Sequence, residues 1–200
     1  MKRLSKALVV LSALMLLLSL LPSYNEAQIY EKILRLHVIA PSDSEEDQAL
    51  KLKVRDEILE YSRVIGDIKD VEEARGIYGS QLESIKKIAE STVKDEGYDY
   101  DVDVCLGYEY YPTRSYESVK LPAGEYLSLR VMIGEAQGQN WWCVLYPPLC
   151  ISAASADEEL VQAGFTPEQM QIITEGERTK YKIKFKILES AAELWHRLFD

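Results

Sequence analysis

The segment Ile33 to Ile65, ILRLHVIAPSDSEEDQALKLKVRDEILEYSRVI, joins two periodicities at one boundary, and the rest of the chain is built around it. Up to Ala40 the pattern has period two: Leu34, Leu36, Val38 and Ala40 alternate with Ile33, Arg35, His37 and Ile39, which predicts a strand with one strongly apolar face. Pro41 ends it. Ser42, Asp43 and Ser44 then offer side-chain acceptors at a helix start, with Glu45 three positions after Ser42 as in a capping box. Glu45, Glu46 and Asp47 occupy the first turn, where the helix dipole favours negative charge by about 0.3–1 kcal/mol each. Leu50, Val54, Ile58, Tyr61 and Ile65 recur at helical spacing, giving an amphipathic helix of about five or six turns. Leu52 and Leu59 fall on nearly the opposite side and need either a second element or a partner to cover them.

Working outward, residues 67–97 carry a second helical stripe, Val71, Ala74, Tyr78, Leu82, Ile85, Ala89 and Val93, with Asp70 as cap and Gly97 as stop. Gly76 and Gly79 mark where that helix is weakest. From Tyr98 the period returns to two, with Tyr98, Tyr100, Val102, Val104, Leu106, Tyr108 and Tyr110 on one face and acids, Cys105 and Gly107 on the other. A further strand is expected at residues 114–119, then a turn at Pro122-Ala123-Gly124. Leu127, Leu129, Val131 and Ile133 follow as the apolar face of another strand, and the loop Gly134 to Asn140 leads to a last one at Trp141 to Tyr146. This order predicts an α+β fold: a mostly antiparallel sheet of about five strands with two long helices packed on one face. Beyond residue 152, short helical turns are expected at Asp157 to Ala163 and Pro167 to Thr174, then an extended stretch at Lys180 to Ile187 and a closing helix through Leu188, Ala191, Trp195 and Leu198.

The 200 residues are enough for one main domain, expected over 28–200 with residues 153–200 as a peripheral helical part. Lys2, Arg3 and Lys6 precede the uncharged run Ala7 to Leu21, the layout of an export signal or N-terminal anchor, here assigned to residues 1–27. Without residues 1–21, which hold three bases and no acid, the formal charge moves from -10 to -13. So acidic a body does not suit nucleic acid, whose phosphates need Lys and Arg. Membrane contact is expected only through the N-terminal segment. In an exported protein the spacing of Cys143 and Cys150 suits a disulfide across a proline pair, leaving Cys105 over. Two histidines, His37 and His196, exclude a histidine-rich metal site, and no cofactor is expected.

Adjacent Trp141 and Trp142 must face opposite ways in a strand, one into the core and one free to act as an interface anchor. His37 with Ser42 or Ser44 invites an envelope-hydrolase reading, yet capping already accounts for Ser42 to Asp47 and no nucleophile elbow is present.

The words LHVIAPSDSEEDQALKLKVRDEILEY (36–61) and IGEAQGQNWWCVLYPPLC (133–150) closely resemble stage II sporulation protein R of endospore-forming bacteria. The resemblance implies a non-enzymatic signal, made in the forespore and exported into the space between the forespore and mother-cell membranes. There it would activate a membrane-bound aspartic protease, the sporulation sigma-E factor-processing peptidase, which matures pro-sigma-E. On that footing the expected contacts are the corner His37, Ser42, Asp43, Asp47 and the edge Gln137, Asn140, Trp141, Trp142. Replacing His37 and Asp43, or the exposed tryptophan, is then expected to stop processing without lowering thermal stability.

Overall fold

The computed structural model describes residues 10–12, 14, 24–116, 119–150 and 156–174. The expectations for most of the N-terminal run, for the stretch Lys180 to Ile187 and for the closing helix lie outside these residues. Among the described residues no helix is long and apolar enough to cross a membrane.

A short helix α1 (Tyr24–Tyr30) leads into β1 (Leu34–Ile39), and α2 (Glu45–Val64), α3 (Val71–Ser80) and α4 (Leu82–Asp95) follow. Then come β2 (Val102–Tyr111), the short strands β3 (Arg114–Tyr116) and β4 (Val119–Leu121), β5 (Gly124–Ile133), β6 (Asn140–Tyr146), α5 (Ala156–Gln162) and α6 (Pro167–Thr174). The α+β class is as expected, with two corrections to the sheet. It has four strands in the order β2-β5-β1-β6, because β3 and β4 pair only with each other. It is also mixed: β1 runs parallel to β5, while β1–β6 and β2–β5 are antiparallel. β1 is the central strand inserted between β5 and β6, which the chain makes in succession.

The long second helix is two. The break is at Gln81, whose φ of -104° and ψ of 6° leave the helical region, whereas Gly76 and Gly79 stay inside α3. Asp70 caps α3 as expected, accepting from Glu73 N at 2.8 Å, and Gly97 closes α4 with φ +84°. Gly97 takes up this left-handed conformation without the steric cost a Cβ would bring. The cap of α2 is Ser44, which accepts from Asp47 N at 3.1 Å. Ser42 instead donates to the Asp47 carboxylate at 2.5 Å.

Each sheet face has its own core. Leu34, Leu36 and Val38 of β1 join Leu127, Leu129, Val131 and Ile133 of β5 beneath Leu50, Val54 and Ile58 of α2 and Ile85, Ala89 and Val93 of α4. Each such buried Leu, Ile or Val side chain contributes about 1.5–3 kcal/mol. Leu59, one of the two leucines left over by the stripe, is partly buried against this cluster. The opposite face is covered by α1, α5, α6 and the β3–β4 hairpin, with Ile33, Tyr111, Tyr126, Val144, Leu160 and Ile173 in its core.

Candidate functional site

Because β1 is central, both its faces are buried, and the face expected to carry scattered polar residues is dry. Arg35 is 0% exposed and His37 4%. His37 Nδ1 lies 2.9 Å from Glu109 Oε1, and His37 Nε2 lies 2.8 Å from Asn140 Oδ1. Ser128 donates to Glu109 at 3.2 Å and shares a 2.7 Å bond with Tyr111. The Arg35 guanidinium packs 3.9 Å from the Tyr111 ring centre, 4.9 Å from Tyr126 and 5.6 Å from Tyr116. Its Nη2 donates to the Tyr116 hydroxyl, and among the described residues its Nε and Nη1 have no hydrogen-bond partner. Burial pushes the Tyr111 phenol well above its ordinary value, with the nearby Glu109 charge adding to the effect. Tyr116 and Tyr126 are also raised, burial again the first cause and the positive charge of Arg35 opposing it.

The corner and the edge loop form one structure. Gln137 N donates to Pro41 O at 3.2 Å, Gly138 N to Ala40 O at 3.0 Å and Gln139 N to the Asp43 carboxylate at 2.7 Å. Buried Lys51 donates to Gln139 O at 2.8 Å, and desolvation holds its pKa below the usual lysine value. The two sets of candidate residues, far apart in sequence, therefore share one surface. Asp43, Gln137 and Asn140 are exposed on it, Ser42 is half-buried, and Asp47, 5% exposed, and His37 hold it from beneath.

The tryptophans face opposite ways, as expected, and both are half-buried. Trp141 lies on the α2 side under Arg55, 4.2 Å from guanidinium carbon to ring centre. Trp142 lies on the other face, 5.7 Å from the His37 ring centre and 3.7 Å beneath the Arg114 guanidinium. Cys143 and Cys150 are joined as a disulfide. Cys105 is a free thiol that accepts from Arg130 Nε at 3.4 Å.

A cleft of about 830 Å³ runs along the outer side of β6, between α2 from Arg55 to Arg63 and β6 from Trp141 to Cys143, with Tyr116 and Cys150 in its walls. Sequence reasoning missed the polar residues behind it, Arg35, Glu109, Ser128 and the three tyrosines. The available signals were an arginine inside an otherwise apolar strand and the 13 tyrosines of the chain.

The groups that invited a hydrolase reading are bonded within the fold. Both His37 ring nitrogens are engaged, the Ser42 hydroxyl is given to Asp47, and Ser44 accepts from the backbone of α2. Among the described residues no group of three or more His, Cys, Asp or Glu is placed to hold a metal.

Comparison with known proteins points to one family. The family model described as stage II sporulation protein R matches residues 30–156, from the end of α1 to the start of α5 and so the whole sheet with α2 to α4. The chain is similar to Stage II sporulation protein R of Bacillus subtilis (strain 168), 41% identical over 123 residues. That stretch is 61% of this chain and 55% of the relative, so the match spans about half the relative's length. No solved structure matches. With its family model covering more than half of the residues, this chain belongs to the stage II sporulation protein R family.

Proposed function

We propose that the protein is an exported signal of sporulation that works by being bound. It acts between the forespore and mother-cell membranes, attached to a membrane, if at all, only through residues 1–27. Its partner is the membrane-bound aspartic protease of the mother cell, the sporulation sigma-E factor-processing peptidase, and the outcome is conversion of pro-sigma-E to the active sigma factor. The observation that carries this is the family match across residues 30–156. The network around His37 supports a role without catalysis, since its proton-transferring and nucleophilic groups are satisfied internally.

A soluble ligand activates a membrane enzyme only by binding its active arrangement more tightly than its inactive one. The contact surface is the fused corner, where Asp43, Gln137 and Asn140 are exposed and Trp142 is half-buried, continuing into the cleft along β6. A version lacking residues 1–27, kept in the forespore cytosol, tests the requirement for export. Sigma-E should remain unprocessed although the protein accumulates, and normal processing would refute extracellular action.

A further inference from the structure

We propose that Arg35 is a receiving site for a carboxylate, and that the cleft along β6, whose own lining includes Asp56, Glu57 and Glu60, takes an extended, largely uncharged peptide segment of a partner with a single Asp or Glu side chain that reaches Arg35. Arg35 is fully buried, and among the described residues its Nε and Nη1 have no hydrogen-bond partner and no carboxylate pairs with it. A buried cation of this kind ordinarily has a counter-ion. The cations that line the cleft already have counter-ions: Arg55 pairs with Asp56 at 2.6 Å and Arg63 with Glu60 at 2.6 Å. Arg35, behind the cleft, pairs with no carboxylate among the described residues and is a charge that a ligand can neutralise.

Tyr116 separates Arg35 from the cleft. Its hydroxyl accepts from Arg35 Nη2 and donates to Trp142 O across a long 3.4 Å. Tyr116 also ends β3, one strand of a two-stranded hairpin with three residue pairs, the kind of element least able to hold itself in place. Among the described residues β6 is the last strand of the sheet, and its outward backbone is met by side-chain atoms: Tyr116 at Trp142 O, and Cys150 Sγ, which accepts from Val144 N at 3.0 Å. An incoming strand would replace the long Tyr116 bond with a backbone N–H. Once released, Tyr116 would leave Arg35 open to a carboxylate, whose planar pair of oxygens matches the guanidinium fork.

The test uses the full-length protein with Trp195→Phe, so that Trp141 and Trp142 report, and two extended hexapeptides, alternating valine and threonine, with glutamate or glutamine at one central position, followed through tryptophan fluorescence. The glutamate peptide should bind about tenfold or more tightly than the glutamine peptide, as expected for a charge-assisted hydrogen bond. Arg35→Met should abolish that preference while leaving the unfolding midpoint unchanged or raised, because an unpaired buried charge is lost. Tyr116→Phe, which removes the hydroxyl that occupies Arg35, should retain the preference and strengthen binding. Several outcomes would overturn the proposal: no binding of either peptide, equal binding of both, a preference that survives Arg35→Met, or a lowered midpoint in Arg35→Met with peptide binding unaffected. It would fail equally if inorganic phosphate alone gave the same fluorescence change in an Arg35-dependent way, since the site would then take free anions. Because no protease is present, a negative result would leave the signalling function on which this site rests still standing.

Discussion

His37 of β1 and Glu109 of β2 are bonded at 2.9 Å although β5 lies between their strands, so one side-chain pair clasps three strands of the sheet. His37→Ala would leave Glu109 and Asn140 without their partner in a half-dry site and open a void beside Trp142. A loss of about 2–4 kcal/mol is expected, from the cavity and the stranded polar groups together. Glu109→Gln keeps the shape and removes the charge, for about 1–2 kcal/mol. Urea unfolding checks both. Loss of processing in a His37 variant would thus report on folding, and contact is better tested at exposed Gln137.

Gly138 is where the edge loop meets the corner. A Cβ there would lie 2.2 Å from Ser42 O and 2.6 Å from Ser42 C, both backbone atoms that cannot turn aside. Gly138→Ala should push the loop off Pro41 and Asp43 and break the bonds Gly138 N–Ala40 O and Gln139 N–Asp43. About 2–3 kcal/mol of stability should go with them, whereas Gly76→Ala, with nothing within 4 Å of the new atom, should be neutral or stabilising. Thermal melts of the two variants side by side decide this.

The tyrosines around Arg35 set the alkaline limit. Tyr111, Tyr116 and Tyr126 are all raised above the ordinary 10.0, so above that pH the unfolded chain releases protons that the folded chain keeps. The stability they contribute is complete below about pH 10 and is lost as pH rises beyond it. Desolvated Lys51 opposes this, since its lowered pKa removes a penalty as pH rises toward its unfolded value of 10.5. Three groups outweigh one, so a net fall is expected. Tyrosinate absorbance should show these phenols ionising only when the protein unfolds, and smooth ionisation in the native state would contradict it.

The strand, the turn and the helix of residues 33–65 were legible because each is set by local pattern: alternation, a proline and a stripe at helical spacing. The cap slipped by two residues because Ser42, Asp43 and Ser44 are chemically equivalent candidates, and only the fold gives Ser42 to the Asp47 carboxylate. Sheet order was not legible. Neighbours in sequence usually pair, yet β1 enters between β5 and β6, a pairing that depends on contacts some 90 residues apart. The site suffered from the same gap. Arg35 and His37 alternate with leucine and valine, as they would on a wet strand, and only the central place of β1 makes that face dry.

Cys143 and Cys150, seven apart in sequence, hold the end of β6 to the segment leading toward α5. Closing so short a loop contributes about 2–3 kcal/mol by restricting the unfolded chain. Reduction, or the pair Cys143→Ala with Cys150→Ala, should lower the unfolding free energy by that amount. The double replacement should also loosen the Cys150 wall of the cleft, because Val144 N loses its sulfur acceptor. Denaturation with and without reductant measures the first effect, and hydrogen exchange at Val144 the second.

On the proposed function, the protein activates a protease from outside the membrane without altering any molecule chemically. Purified full-length protein is added to the outer face of vesicles carrying the sigma-E factor-processing peptidase and pro-sigma-E, and conversion of the precursor is followed on a gel. Conversion that depends on the added protein and saturates with its concentration is the predicted result. No conversion at saturating protein, or conversion in vesicles that lack the peptidase, would contradict it.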